Sequence, residues 1–138
     1  MKKTIAIIAL LLSMALLLAA CGKKTVTGKD LEGKWTVNQA TSAGEDSLAG
    51  FIHAATMFTG QGGGLIINGS RICLARNIEY EMLYSDICTY ELKDGKMVIH
   101  DLGAEDVPAF GDFEADFRLE GSKLTLTQGS ASLTLEKK

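Results

Sequence analysis

Four short turn signals, each set between stretches of alternating apolar and polar residues, constrain this chain more than anything else in it. Leu65-Ile66-Ile67 and Ile72-Cys73-Leu74 flank Asn68-Gly69, while Tyr90-Glu91-Leu92 and Met97-Val98-Ile99 flank Asp94-Gly95. Asn-Gly and Asp-Gly suit a two-residue hairpin because both positions tolerate positive φ. Phe113, Ala115, Phe117 and Leu119 alternate with polar neighbours, turn at Glu120-Gly121-Ser122 and return through Leu124 and Leu126. Gln128-Gly129-Ser130 then leads into Leu133 and Leu135. After Gly33, Trp35, Val37 and Gln39 alternate with Lys34, Thr36 and Asn38, so the count reaches about seven or eight strands in sequential hairpins. A meander of this kind has two exposed edges, and closing it removes them.

One segment breaks the two-residue period. Leu48, Phe51, Ile52, Ala55 and Phe58 fall at helical spacing, with acids crowding the start near Asp46 and Gly60, Gly62, Gly63 and Gly64 at the end. The expected fold is therefore mainly β: an antiparallel up-and-down barrel or tight sandwich, with one short α-helix of about three turns after the first strand. No repeat of fixed period and no internal linker stands out.

The N-terminus has a different character. Lys2-Lys3 precede an apolar run from Thr4 to Leu18, and Ala19-Ala20 lead to Cys21. A basic n-region, an apolar core and small residues before a cut are the layout of a secretory signal. The run is short for a membrane span, which needs about 20 apolar residues. Leu18-Ala19-Ala20-Cys21 resembles the lipobox of bacterial lipoproteins. The resemblance implies cleavage before Cys21 and a diacylglyceryl group on its sulfur. An uncleaved anchor, or a plain signal with an incidental cysteine, are the competing readings. The expected organisation is a signal peptide over 1–20, a lipidated tether over 21–29 and a folded domain over 30–138. The partner implied is a bacterial membrane, cell membrane or outer membrane, held by acyl chains from its extracytoplasmic side. Each buried methylene contributes about 0.8 kcal/mol, so two or three chains hold firmly.

Composition bounds what the domain does. Without residues 1–20, 118 of the 138 residues remain, enough for one core. Two of the 14 basic residues leave with the signal while all 17 acidic ones stay, giving a formal charge of −5. That charge disfavours nucleic acid as a partner, since its phosphates would repel the surface. Cys73 and Cys88 are an even pair in an exported chain, hence a candidate disulfide worth about 3 kcal/mol in the chain-entropy model. The alternative is two buried thiols on neighbouring strands that never meet.

Nothing in the chain spells out catalysis. The only histidines are His53, off the helix's apolar stripe, and His100 beside Asp101. No Gly-x-Ser-x-Gly elbow accompanies them. Asp112, Glu114 and Asp116 project from one strand face, yet neighbours at i and i+2 stand nearly 7 Å apart, too far to share one ion. With Asp101, Glu105 and Asp106 they read as a solvated surface. The glycines from 60 to 64 lack the Lys-Ser/Thr that completes a phosphate loop. The expectation is a non-enzyme without metal or cofactor.

The opening Leu31-x-Gly33-x-Trp35, the helix soon after it, and the meander ending in Gly121-Ser122-Lys123-Leu124-Thr125-Leu126 resemble small bacterial lipocalin-like lipoproteins over roughly residues 30 to 136. The resemblance implies that Gly33 and Trp35 sit on the first strand, with Trp35 plugging the barrel's closed end. Arg118 is the candidate for the arginine that stacks on that tryptophan in classical members. The domain is shorter than a typical lipocalin, and its helix follows the first strand instead of packing near the C-terminus. Phe51, Met57, Phe58, Tyr80, Met82 and Tyr84 are the candidate lining of a pocket at the helix-capped end, or else core. The function expected is binding of a small hydrophobic molecule or lipid. The alternative is a non-enzymatic protein-binding module of the envelope, an inhibitor or assembly accessory. A cavity beneath the helix would favour the first, and a filled interior with an exposed apolar patch the second.

Overall fold

The structure is a computed structural model describing residues 25–42, 44 and 46–138. The expected signal peptide over 1–20, the expected acylation site Cys21 and residues 22–24 lie outside the described residues.

The meander closes. Eight antiparallel strands follow one another in chain order around a barrel: β1 (Gly33–Thr41), β2 (Gly64–Asn68), β3 (Arg71–Asn77), β4 (Met82–Lys93), β5 (Lys96–Asp101), β6 (Phe113–Glu120), β7 (Lys123–Gln128) and β8 (Ala131–Lys137). β8 returns to pair with β1, from Trp35 opposite Lys137 to Thr41 opposite Ser132. Every strand thus has two neighbours, which removes the sheet edges an open meander would expose.

The turns follow their residues closely. Asp94 and Gly95, at φ 53° and 76°, join Lys93 to Lys96 as a two-residue turn with positive φ at both positions. The turn expected at Asn68-Gly69 is shifted by one residue. Asn68 pairs with Arg71, so Gly69 and Ser70 make the loop, Gly69 alone taking positive φ. Gly121-Ser122 and Gly129-Ser130 repeat that Gly-Ser form, the pattern of a turn with glycine at its first central position.

A one-turn helix, α1 (Gly28–Leu31), precedes β1; Thr27 caps it and Asp30 reaches back to the Thr27 amide at 2.9 Å. Val26 packs against the core. The folded unit therefore begins ahead of the tether boundary placed at residue 29, because Val26 has apolar surface to bury and Thr27 a cap to form.

The expected helix is α2 (Ser47–Ala55), shorter than the apolar spacing suggested. Its end lies at Thr56, whose hydroxyl donates to the Ile52 carbonyl at 2.7 Å. A 3-10 turn (Thr59–Gln61) and Gly62 then carry the chain back to β2. Past the end of the helix, Phe58 leaves the apolar stripe and packs against Tyr84.

Inward-pointing residues alternate along the strands and fill the barrel. Trp35, Leu65, Leu74, Ile99, Leu126 and Leu133 are all essentially inaccessible to solvent. From above, α2 inserts Leu48, Phe51, Ile52 and Ala55 into the same cluster. Filling by side chains is what an eight-stranded barrel of this size permits.

The bridge expected between Cys73 and Cys88 is not formed: both thiols are free. Cys88 stands opposite Ile72 and belongs to the interior cluster, whereas Cys73 pairs with Asp86 across a register shift and lies outside that cluster. Successive side chains on a strand point to opposite faces, so the neighbouring-strand placement puts the two sulfurs on different sides of the wall. Burial, with Asp101 adding to it, raises the Cys88 thiol far above its usual range. Burial first, then the Asp86 charge, also raises Cys73.

Candidate functional site

The two ends of the barrel are built differently. At the closed end the β1 start, the β2–β3, β4–β5 and β6–β7 turns and the C-terminus meet α1. Trp35 is fully buried here and its indole N–H donates to the Leu31 carbonyl at 2.8 Å. The Lys137 ammonium lies 5.5 Å from the Trp35 ring centroid and donates to the Asp30 carbonyl at 3.2 Å. Lys137, and not Arg118, therefore supplies the cation over the tryptophan. Arg118 is exposed and paired with Glu120 at 2.7 Å. Its strand position on β6 points it outward, between inward Phe117 and Leu119. Gly33 takes φ 138°, and a Cβ there would stand 2.7 Å from Lys137 Cε. The Gly-x-Trp spacing thus leaves room for the lysine to cross beneath the ring.

Beside this plug, Tyr90 is buried and its hydroxyl has no hydrogen-bond partner. Burial, reinforced by the Glu32 charge, raises its pKa. It borders a cleft of about 380 Å³ under Val26 and Gly28. A larger cleft of about 650 Å³, between Lys34, Lys138 and Ile78, opens on the outside of the wall next to the Lys34–Glu81 ion pair at 3.2 Å.

The other end is capped by α2. Gln128 Oε1 accepts from the Leu48 amide at 2.8 Å while its Nε2 donates to the Glu114 carbonyl at 3.2 Å, tying the helix start to the strand rims. Phe51 packs edge-on against Phe110 at 5.3 Å between centroids and tilts onto Phe113 at 5.9 Å. Asp101 organises the β5–β6 loop, accepting from the amides of Gly103, Gly111 and Phe110 at 2.8, 2.9 and 3.1 Å. Burial pulls its pKa upward, but those three amides together outweigh it and hold the carboxyl below its ordinary value.

The six residues expected to line a pocket here do not converge on one. Phe51 is in the core. Phe58 and Tyr84 meet edge-on at the rim, 4.9 Å between centroids. Tyr80, Leu83 and Met82 are 74, 61 and 53% exposed, and Met57 is exposed as well. Closure of the barrel decides this. The β3–β4 turn overhangs the wall, so its apolar residues face outward although their types suit an interior. Leu83 is a rim residue that sequence reasoning missed; it stands opposite Ala75, as Met82 does opposite Asn77.

Arg76, between those two β3 residues, places its guanidinium 5.0 Å from the Tyr84 centroid and 5.6 Å from that of Phe58. The Arg76 cation is thus held between two aromatic rings, and the Tyr84 hydroxyl donates to the Asp106 carbonyl of the β5–β6 loop, 3.4 Å away.

His53 is exposed on α2. His100 lies between Glu91 and Asp112, at 3.5 and 3.6 Å. Of the acidic strand, Asp116 pairs with Lys96 at 3.1 Å and Asp112 accepts from the Asp101 amide at 2.8 Å. Among the described residues no three His, Cys, Asp or Glu side chains gather where a metal ion could sit, and no helix is long and apolar enough to cross a membrane.

Compared with known proteins, the chain matches no protein-family model, no curated protein and no solved structure.

Proposed function

We propose that this is a non-catalytic, protein-binding module of the bacterial cell envelope, carried on a membrane by acyl chains on Cys21 and working through the helix-capped rim. One observation carries the reading. The barrel is filled by its own side chains and covered at both ends, while Tyr80, Met82 and Leu83 stay exposed on one rim. A container for a small hydrophobic molecule needs an apolar space of some hundreds of Å³. Inside the barrel such a space would require α2, with Phe51 and Leu48 fully buried, to move out. Clustered exposed apolar residues instead fit recognition of another surface.

The test is photo-crosslinking in the producing cell, with a photoreactive amino acid at Tyr80 or Leu83. A discrete protein adduct from both positions, absent when the probe replaces exposed Lys123 at the closed end, is expected. A small-molecule or lipid adduct alone, or adducts equal at Lys123, would overturn the reading.

A further inference from the structure

Closure gives β1 two neighbouring strands, but one of them accompanies it for only part of its length. β8 pairs with β1 from Trp35 to Thr41, whereas β2 covers Gly33, Lys34 and Trp35 alone. From Thr36 to Thr41 no strand lies on the β2 side among the described residues. The Lys138 amide donates to the Lys34 carbonyl at 2.9 Å, so Lys34 turns its main chain towards β8. Main-chain groups alternate in direction along a paired strand, which turns those of Trp35 and Val37 the other way. The Trp35 carbonyl there lies close against Gly64 of β2, while Val37 has no strand to meet. Two other incompletely paired stretches are guarded. The first half of β4 is crossed by the β5–β6 loop, through the Leu102 amide on the Ile87 carbonyl and the Tyr84 hydroxyl on the Asp106 carbonyl. Past Asp116, its last residue paired with β5, β6 carries the ion pair of Arg118 and Glu120. Charge, proline or cover is the usual protection of a free edge. Thr36 to Thr41 has no charged residue and no proline, and Asn38, Gln39, Ala40 and Thr41 are exposed. The bulge between Val37 and Gln39 lies in the β8 pairing and leaves this edge bare.

We propose that the partner protein docks on this edge, adding one extended segment beside β1 through main-chain hydrogen bonds. The inference rests on the protein-binding reading and names how the partner is held. The cleft of about 650 Å³ on the outside of the wall runs beside the edge, with Lys34 and Thr36 of β1 on one side and Ile78 and Glu79 of the β3–β4 turn on the other. Two contacts hold the turn there: the Ile78 amide donates to the Gly62 carbonyl at 3.0 Å, and Glu81 pairs with Lys34 at 3.2 Å. Exposed Tyr80 lies between those two anchors, so the edge and the apolar turn adjoin. A slot of this shape admits a single extended chain. A second copy of the barrel, its own β1 recessed beside its own turn, would meet turn against turn. Because the side chains from Thr36 to Thr41 are uncharged, the main chain does the recognising, as in strand addition to a sheet. The segment is accordingly one of alternating apolar and uncharged polar residues, its apolar side on the face of half-buried Val37.

The probe is a library of random 12-residue peptides displayed on phage, selected against the full chain in detergent micelles. Enriched peptides are expected to alternate apolar and polar residues, and to crosslink to a photoreactive amino acid at Gln39 but not at Lys123. Replacing single peptide amides by esters then removes one N–H donor at a time. Affinity losses of about three- to tenfold at every second position, with the positions between them unaffected, are the signature of strand addition. The double variant Gln39→Lys, Thr41→Lys guards the edge with charge and should weaken binding by a similar factor or more. The ester series leaves the protein unaltered, so it reports even where the double variant loses stability. An ester series without the two-residue period, or a selection without any enriched peptide, would overturn the proposal. Crosslinks from Tyr80 in the producing cell without one from Gln39 would also overturn it while leaving the protein-binding reading in place; failure at both positions removes both. Gln39 crosslinked to a second copy of the chain would give the edge to self-assembly and contradict the proposal as well.

Discussion

Tyr90 is the residue whose surroundings most sharply test the packing described here. Its hydroxyl is buried without a partner, and a buried hydroxyl left unsatisfied costs about 1–3 kcal/mol. Tyr90→Phe removes that cost and keeps the ring, so the variant should be more stable in urea, by about 1 kcal/mol. A loss of stability would mean the hydroxyl is bonded. At the same scale, Gly33 and Trp35 were legible in the sequence, since Gly-x-Trp already implied a buried ring on the first strand. Lys137 was not. It lies a whole barrel away in sequence, and only the pairing of Trp35 with Lys137 brings it under the ring. Arg118 has the right chemistry, but strand alternation on β6 turns it to solvent. The two cysteines show the same limit. Their sequence separation permitted a bridge, yet Cys88 pairs with Ile72, the residue before Cys73, so strand alternation sets the two sulfurs on opposite faces of the wall.

At the scale of elements, hairpins and helix could be read from local residues because turn chemistry and spacing are local properties. The β5–β6 connection could not, since one side chain, Asp101, holds it through three amides. The sign of its pH dependence follows from its lowered pKa. The unfolded carboxyl titrates near 3.9, so its contribution is complete above about pH 5 and lost as pH falls through the lower folded value. Asp101→Asn should therefore be less stable than the parent at pH 7, with the gap between urea midpoints closing as the pH drops below about 4. A gap that stayed constant across that range would remove Asp101 from the account. For α2, Phe51 is the deepest anchor, touching Phe110 and Phe113. Phe51→Ala should cost about 3–5 kcal/mol and open an apolar space beneath the helix, detectable as new binding of a hydrophobic dye. A loss under about 1 kcal/mol would show that the helix is only loosely seated.

For the whole molecule, barrel closure converts a generic meander into a particular distribution of apolar surface. Residue type alone put Met57, Phe58, Tyr80, Met82 and Tyr84 with Phe51 as one lining. Which of them face inward depends on where the β3–β4 turn overhangs and where α2 stops, and both are set by contacts between distant segments. The result is a filled interior with exposed apolar residues where β3 turns into β4. Native mass spectrometry of the protein, purified gently from the producing cell, tests that most directly. The expected mass is that of the acylated chain alone or with a bound protein, with no stoichiometric small molecule. A small hydrophobic molecule or free lipid retained one to one, and lost only when the barrel unfolds, would contradict it.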